Sequence, residues 1–155
     1  TEMNRKRRFI CTQLDQYLKV MNTNFKSISI ACKEAYLFMK KRNGGHIINI
    51  ASMAGIIPSF GYTAYGISKC AVINLTRSYF KDCESNVNVT AIAPGIVVTR
   101  MGNLKFGDNI ANTYTVSRHT TIPEEIAALV AFILSPVGKY LNGETLEACS
   151  NENLF

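Results

Sequence analysis

HIINIAS, residues 46–52, is the pivot of the chain. The run is short, β-branched and without clear alternation, which reads as a strand buried on both faces. Upstream, apolar residues recur at helical spacing from Asp15 to Met39 through Leu18, Met21, Phe25, Ile28, Cys32 and Ala35, giving one long helix or two stacked end to end. Asn43-Gly44-Gly45 stops that helix, as glycine commonly does beyond a helix C-terminus. Downstream, a loop over Gly55–Gly61 contains Pro58, and the helical pattern returns from Thr63 to Phe80 with Ala64, Ile67, Ala71, Leu75 and Tyr79 on one side.

VNVTAIAPG, residues 87–95, is a second buried strand that Pro94-Gly95 terminates. Residues 100–120 have little periodicity and read as a loop. TIPEEIAALVAFILS then marks a helix onset, with Thr121 as N-cap, Pro123 near the first helical position and two acidic residues in the first turn. A final short strand follows near Glu144–Ala148. Helices alternating with buried strands predict an α/β fold, a parallel sheet with helices on both faces.

Composition narrows the function classes. The 155 residues, 47% of them hydrophobic, suit one domain at most. No apolar run reaches the roughly 18 residues that span a bilayer, and the basic start TEMNRKRRFICTQ lacks the apolar core of a signal peptide, so a cytoplasmic setting is expected. Five scattered cysteines without a CxxC pair, and only His46 and His119 to join them, argue against a metal site and a disulfide framework. The net charge is +6, and the densest basic clusters are Arg5–Arg8 and Lys40, Lys41 and Arg42. The latter group sits where cations favour a helix dipole, and no nucleic-acid-binding motif accompanies either.

Chemistry in such sheets sits at the carboxyl ends of the strands. Ser52 closes the first strand, Pro94, Gly95 and Thr99 follow the second, and Tyr65 and Lys69 begin the helix between them. Four residues apart, Tyr65 and Lys69 share one helix face, while Tyr62 lies two turns from the lysine. An ammonium beside a phenol favours the phenolate, which is what a tyrosine needs to move protons near neutral pH.

NIASMAG (49–55), YGISK (65–69) with Ser52 and Tyr65 thirteen apart, APGIVVT (93–99) and PEEIA (123–127) together resemble the short-chain dehydrogenase/reductases, from about residue 15 to about residue 148. Within the family, NGGHIINIASMAG and the ending LNGETLEACSNENLF look most like the branch of 15-hydroxyprostaglandin dehydrogenase. The resemblance implies a Rossmann-like three-layer fold and an NAD- or NADP-dependent exchange between a secondary alcohol and a ketone. It implies Tyr65 as general acid/base and also as a cofactor contact, Lys69 as the group that favours its phenolate and holds the nicotinamide ribose, and Ser52 as the residue orienting the substrate oxygen. A helix asparagine supports a proton relay through water; VMNTNFKS offers Asn22 and Asn24, and the family pattern favours Asn24. Pro94, Gly95, Val97 and Thr99 match the turn that contacts the nicotinamide carboxamide, and family members pair as dimers or tetramers.

The glycine-rich turn with which the family begins does not occur, and residues 1–14 read as a divergent segment ahead of a C-terminal part over 15–155. The expectation is a family domain whose N-terminal cofactor-binding half is missing, with an open edge on the first strand. A non-catalytic interaction fragment is the competing reading, and an incomplete product that does not fold stably is a third.

Overall fold

The structure, a computed structural model, describes residues 12–58, 61–83, 86–101 and 121–149. The long helix is interrupted: α1 (Leu14–Met21) passes through one π-helical stretch (Asn22–Lys26) into α2 (Ser27–Lys41). Its chain leaves through Asn43, at φ 69°, while Gly44 N donates to Met39 O at 3.0 Å, so the expected stop is in place. β1 (Gly45–Ile50), α3 (Thr63–Asp82), β2 (Val87–Pro94), α4 (Pro123–Leu134) and β3 (Thr145–Ala148) follow, with short 3-10 turns at Met53–Gly55 and Pro136–Leu141. The sheet order is β1-β2-β3, all parallel, with Gly45 opposite Val87 and Ile50 opposite Ile92.

Helices α2 and α3 pack on one face of the sheet. Val72 and Ile73 meet Ala51, Ala91 and Ala93, and Cys32 meets Ile47, Val87 and Val89, with Ile28 touching both groups. The other face is met by the 3-10 turn after α4, where the Thr90 hydroxyl donates to Leu141 O at 3.0 Å. β2 is buried along most of its length, as expected of a central parallel strand.

Three expectations need correction. β1 is not buried on both faces: Ile47 and Asn49 are buried but Ile50 is 42% exposed, because β1 is an edge strand among the described residues. α3 buries Ser68, Val72, Ile73 and Thr76 while Ile67 is exposed, so its core face is rotated from the all-apolar stripe. Two hydroxyls sit where a search for apolar periodicity sees only a polar face. Finally, the N-cap of α4 is Ile122 and not Thr121. The Glu125 carboxylate accepts from Ile122 N at 3.0 Å, and Thr121 is drawn instead into a bridge with Val97. The expected loop over 100–120 falls almost wholly outside the described residues, as does most of the divergent segment 1–14.

His46 ties β1 to that second face. Its Nε2 lies 2.8 Å from Thr90 Oγ1, whose own proton goes to Leu141 O, so His46 Nε2–H is the donor. Burial lowers the His46 pKa below the ordinary histidine value. The unfolded chain therefore binds the proton first, and stability is expected to fall as pH drops through the usual histidine range until the folded-state value is passed. Thermal unfolding of the native chain and of His46→Gln between pH 8 and 5 checks this, with a shallower acid slope expected in the variant.

Candidate active site

The site grows from the carboxyl end of β1. Ser52, in extended backbone at φ −170°, caps the turn Met53–Gly55, and its Oγ accepts from Ala54 N at 3.2 Å. One lone pair is thereby used and the hydroxyl proton stays available as a donor. Two glycines let this turn close on α3. A Cβ on Gly55 would stand 2.7 Å from backbone atoms of Lys69 and Cys70, and one on Gly66 would stand 2.7 Å from Ala54 O. Backbone against backbone at that range sets Ser52 beside the first two turns of α3, which carry Tyr65 and Lys69.

Along β1 the backbone groups of odd residues face β2, as Gly45 N and Ala51 N show by donating to Asn86 O and Ile92 O. Those of His46, Ile48 and Ile50 face outward. The Lys69 ammonium takes the last of these carbonyls, donating to Ile50 O at 2.9 Å. It also stands 5.8 Å from the centroid of the Tyr65 ring. Burial lowers the Lys69 pKa below the ordinary lysine value. A cation so placed is fixed, partly desolvated and next to the phenol.

Asn24 reaches α3 from the π-helical stretch. Its Nδ2 donates to Ser68 Oγ at 3.1 Å, and Ser68 Oγ donates to Tyr65 O at 2.6 Å. Asn22 is exposed at the end of α1, so of the two asparagines it is Asn24 that meets α3. The widened turn follows from asparagine and threonine in mid-helix, residues of low helix propensity, and such bulges are frequent at functional sites.

A second polar chain crosses the core below the site. The Cys32 thiol donates to Asn49 Oδ1 at 3.2 Å, Asn49 Nδ2 to Thr76 Oγ1 at 3.0 Å, and Thr76 to Val72 O at 3.0 Å. It fastens α2, β1 and α3 to one another. Burial raises the Cys32 thiol pKa above the ordinary cysteine value, as suits an inert structural thiol. Neither this chain nor Ser68 is announced by the sequence; the only signal is a polar residue on a helix face otherwise given to the core.

The remaining expected residues stand at the end of β2. Pro94 closes the strand, Gly95 N donates to Ala148 O at 3.0 Å, and Val97 bridges Thr121. The Thr99 hydroxyl donates to Val97 O at 3.3 Å. This turn lies at the same end of the sheet as Ser52, on the neighbouring strand. Asn24, Ser52, Tyr65 and Lys69 thus lie around the start of α3, and Pro94, Gly95, Val97 and Thr99 lie at and beyond the end of β2. Among the described residues no cluster of histidine, cysteine, aspartate or glutamate suits a metal ion. No described helix is long and apolar enough to cross a membrane.

Known proteins are similar to this chain in sequence and in fold. A family model described as enoyl-(acyl carrier protein) reductase matches residues 2–149. The 3-oxoacyl-[acyl-carrier-protein] reductase FabG of Vibrio harveyi is 34% identical over 135 residues, 85% of this chain and 55% of the relative. Dehydrogenase/reductase SDR family member 4 of Bos taurus is 32% identical over 134 residues, 83% of this chain and 48% of the relative. Among solved structures, levodione reductase superposes with a TM-score of 0.83 at 24% identity, over 92% of this chain and 59% of that one. 4-hydroxyisoleucine dehydrogenase complexed with NADH gives 0.83 at 21% identity, over 96% of this chain and 63% of that one. The chain spans about half the length of the curated relatives it matches. None of these relatives specifically supports the prostaglandin dehydrogenase branch.

Proposed function

The chain belongs to the short-chain dehydrogenase/reductase family, and from that premise we propose that it carries the proton-transfer centre of an NAD(P)-dependent oxidoreductase interconverting a secondary alcohol and a ketone. The observation that carries the reading is the gathering of Tyr65, Lys69, Ser52 and Asn24 at the start of α3. Tyr65 takes or gives the hydroxyl proton of the substrate. Ser52, with its lone pair already turned to Ala54 N, donates its proton to the substrate oxygen and orients it. Lys69 favours the phenolate of Tyr65 and holds the nicotinamide ribose, and Asn24 supports proton passage through water.

The nicotinamide end of the cofactor fits these residues. The Lys69 ammonium stands at the end of β1, and the Pro94–Thr99 turn, tethered by Gly95 N and Val97, stands at the same end of β2, the carboxyl edge at which such sheets take ligands. A bound nicotinamide would supply or take the hydride. The sequence shows neither the glycine-rich turn for the pyrophosphate nor the acidic or basic residue that follows it in the family and chooses between NAD and NADP, so the two are not distinguished. The free thiols of Cys32, Cys70, Cys83 and Cys149, the cysteines among the described residues, suit a cytoplasmic setting.

Titration of the chain with NADH and with NADPH, followed by nicotinamide fluorescence in a protein without tryptophan, tests the reading. Saturable binding with a Kd on the order of micromolar to millimolar is expected. Lys69→Met is expected to weaken it by about tenfold or more, through loss of a charged hydrogen bond. A folded chain that binds neither nucleotide would sink the reading for this chain.

That outcome would favour a second reading, a non-catalytic interaction fragment. Its support is the outer edge of β1, which pairs with no other strand among the described residues, and the groove of about 440 Å³ beside it, lined by Ile28, Ala35, Ile47, Ile48, Ile50 and Lys69. Exposed Leu18, Ile30, Phe38 and Ile67 on the long helix and α3 suit pairing with a second subunit, as a dimer or tetramer.

A further inference from the structure

We infer that Ser68 is a positioning residue that sets which way the Asn24 carboxamide faces, an inference that takes the role of Asn24 from the reading above. Ser68 is fully buried on the inner face of α3, one residue before Lys69. A serine hydroxyl has one proton and two lone pairs. The proton is committed, because the partner at 2.6 Å is the backbone carbonyl of Tyr65, and a carbonyl can only accept. What Ser68 offers Asn24 is therefore a lone pair. The Asn24 atom at 3.1 Å must be the nitrogen, an assignment that follows from the bonding order and not from the shape of the amide, whose two ends look alike.

The consequence falls on the other end of the carboxamide. With one N–H of Nδ2 given to Ser68, the other end of the carboxamide is Oδ1, so at that end Asn24 meets a water or ligand as an acceptor, while the second N–H of Nδ2 stays a donor. A flipped amide would offer a donor there and set oxygen against the Ser68 lone pairs. The carbonyl that fixes the order belongs to Tyr65 itself, so one hydroxyl joins the backbone of the acid/base residue to the asparagine. The π-helical stretch places Asn24 within reach of α3, and Ser68 determines its polarity there.

Side-chain amide exchange in the 15N-labelled chain tests this without requiring turnover. Asn24→Ala assigns the Asn24 NH2 signals, and the buried Asn49 NH2, bonded to Thr76, serves as a marker of the intact fold. Ser68→Ala is expected to speed Asn24 NH2 exchange by about tenfold while Asn49 stays protected. Ser68→Thr, which keeps the hydroxyl, is expected to restore protection at Asn24. Unchanged Asn24 exchange in Ser68→Ala would overturn the inference. So would joint loss of protection at Asn24 and Asn49, which would make Ser68 a packing residue. So would failure of threonine to rescue Asn24 while Asn49 remains protected. Loss confined to Asn24 in a chain that reduces no ketone would sink the catalytic reading and leave the placement of Asn24 standing.

Discussion

Tyr65→Phe is expected to lower the rate of ketone reduction by about 10²–10⁴, the usual contribution of a positioned acid/base group. The substitution removes one oxygen and keeps the ring that faces the Lys69 ammonium at 5.8 Å, so the cation and its bond to Ile50 O should stay in place. Nicotinamide binding should accordingly change little, and the loss should appear in kcat. A fall in kcat and kcat/KM by the same factor is the signature of a group acting only in the transition state. Tyr62→Phe is the control that separates the two phenols. Tyr62 sits at the N-cap of α3, outside the helix that holds Lys69, and its variant should keep activity within about twofold. Equal losses in both variants, or none in Tyr65→Phe, would remove Tyr65 from the chemistry.

The sequence carried the parts of the site that depend on spacing along one element. Tyr65 and Lys69 share a helix face because four residues separate them, and Ser52 stands at a strand end because the β-branched run stops there. Both relations are local, and both are found in the structure. What the sequence hid is relational. The bond from Lys69 to Ile50 O depends on which backbone groups of β1 face outward, and that depends on its pairing with β2. Ser68, Asn49 and Thr76 are buried polar residues whose partners lie 44, 27 and 27 positions away in Asn24, Thr76 and Asn49. Apolar periodicity treats each as a surface residue, and this is why the face assigned to α3 was rotated. The π-helical stretch was hidden for another reason: its low-propensity residues weaken a helix without revealing whether it ends, bends or widens.

Distance from the site does not make a residue dispensable to it, and Gly138 is the test. Gly138→Ala is expected to cost more than about 4 kcal/mol of folding stability, at the upper end of single substitutions. Gly138 is buried in the 3-10 turn after α4, and a Cβ there would overlap the carbonyl oxygen and carbon of Ile133. Both are backbone atoms of a helix, so no rotamer change relieves the overlap and the whole return must move. That return delivers Leu141 O to Thr90, Asn142 Oδ1 to Val89 N at 2.8 Å and Gly143 N to Val89 O at 2.7 Å, and then becomes β3. β3 in turn holds Gly95 N through Ala148 O, so displacing it frees the turn from Pro94 to Thr99. Urea unfolding followed by circular dichroism should show the Gly138→Ala transition moved to much lower denaturant or lost. Lys139→Ala, at the exposed neighbour, should stay within about 0.5 kcal/mol of the native chain. A native midpoint in Gly138→Ala would mean that the return can shift without loss, and that the Gly95 turn is not anchored through β3.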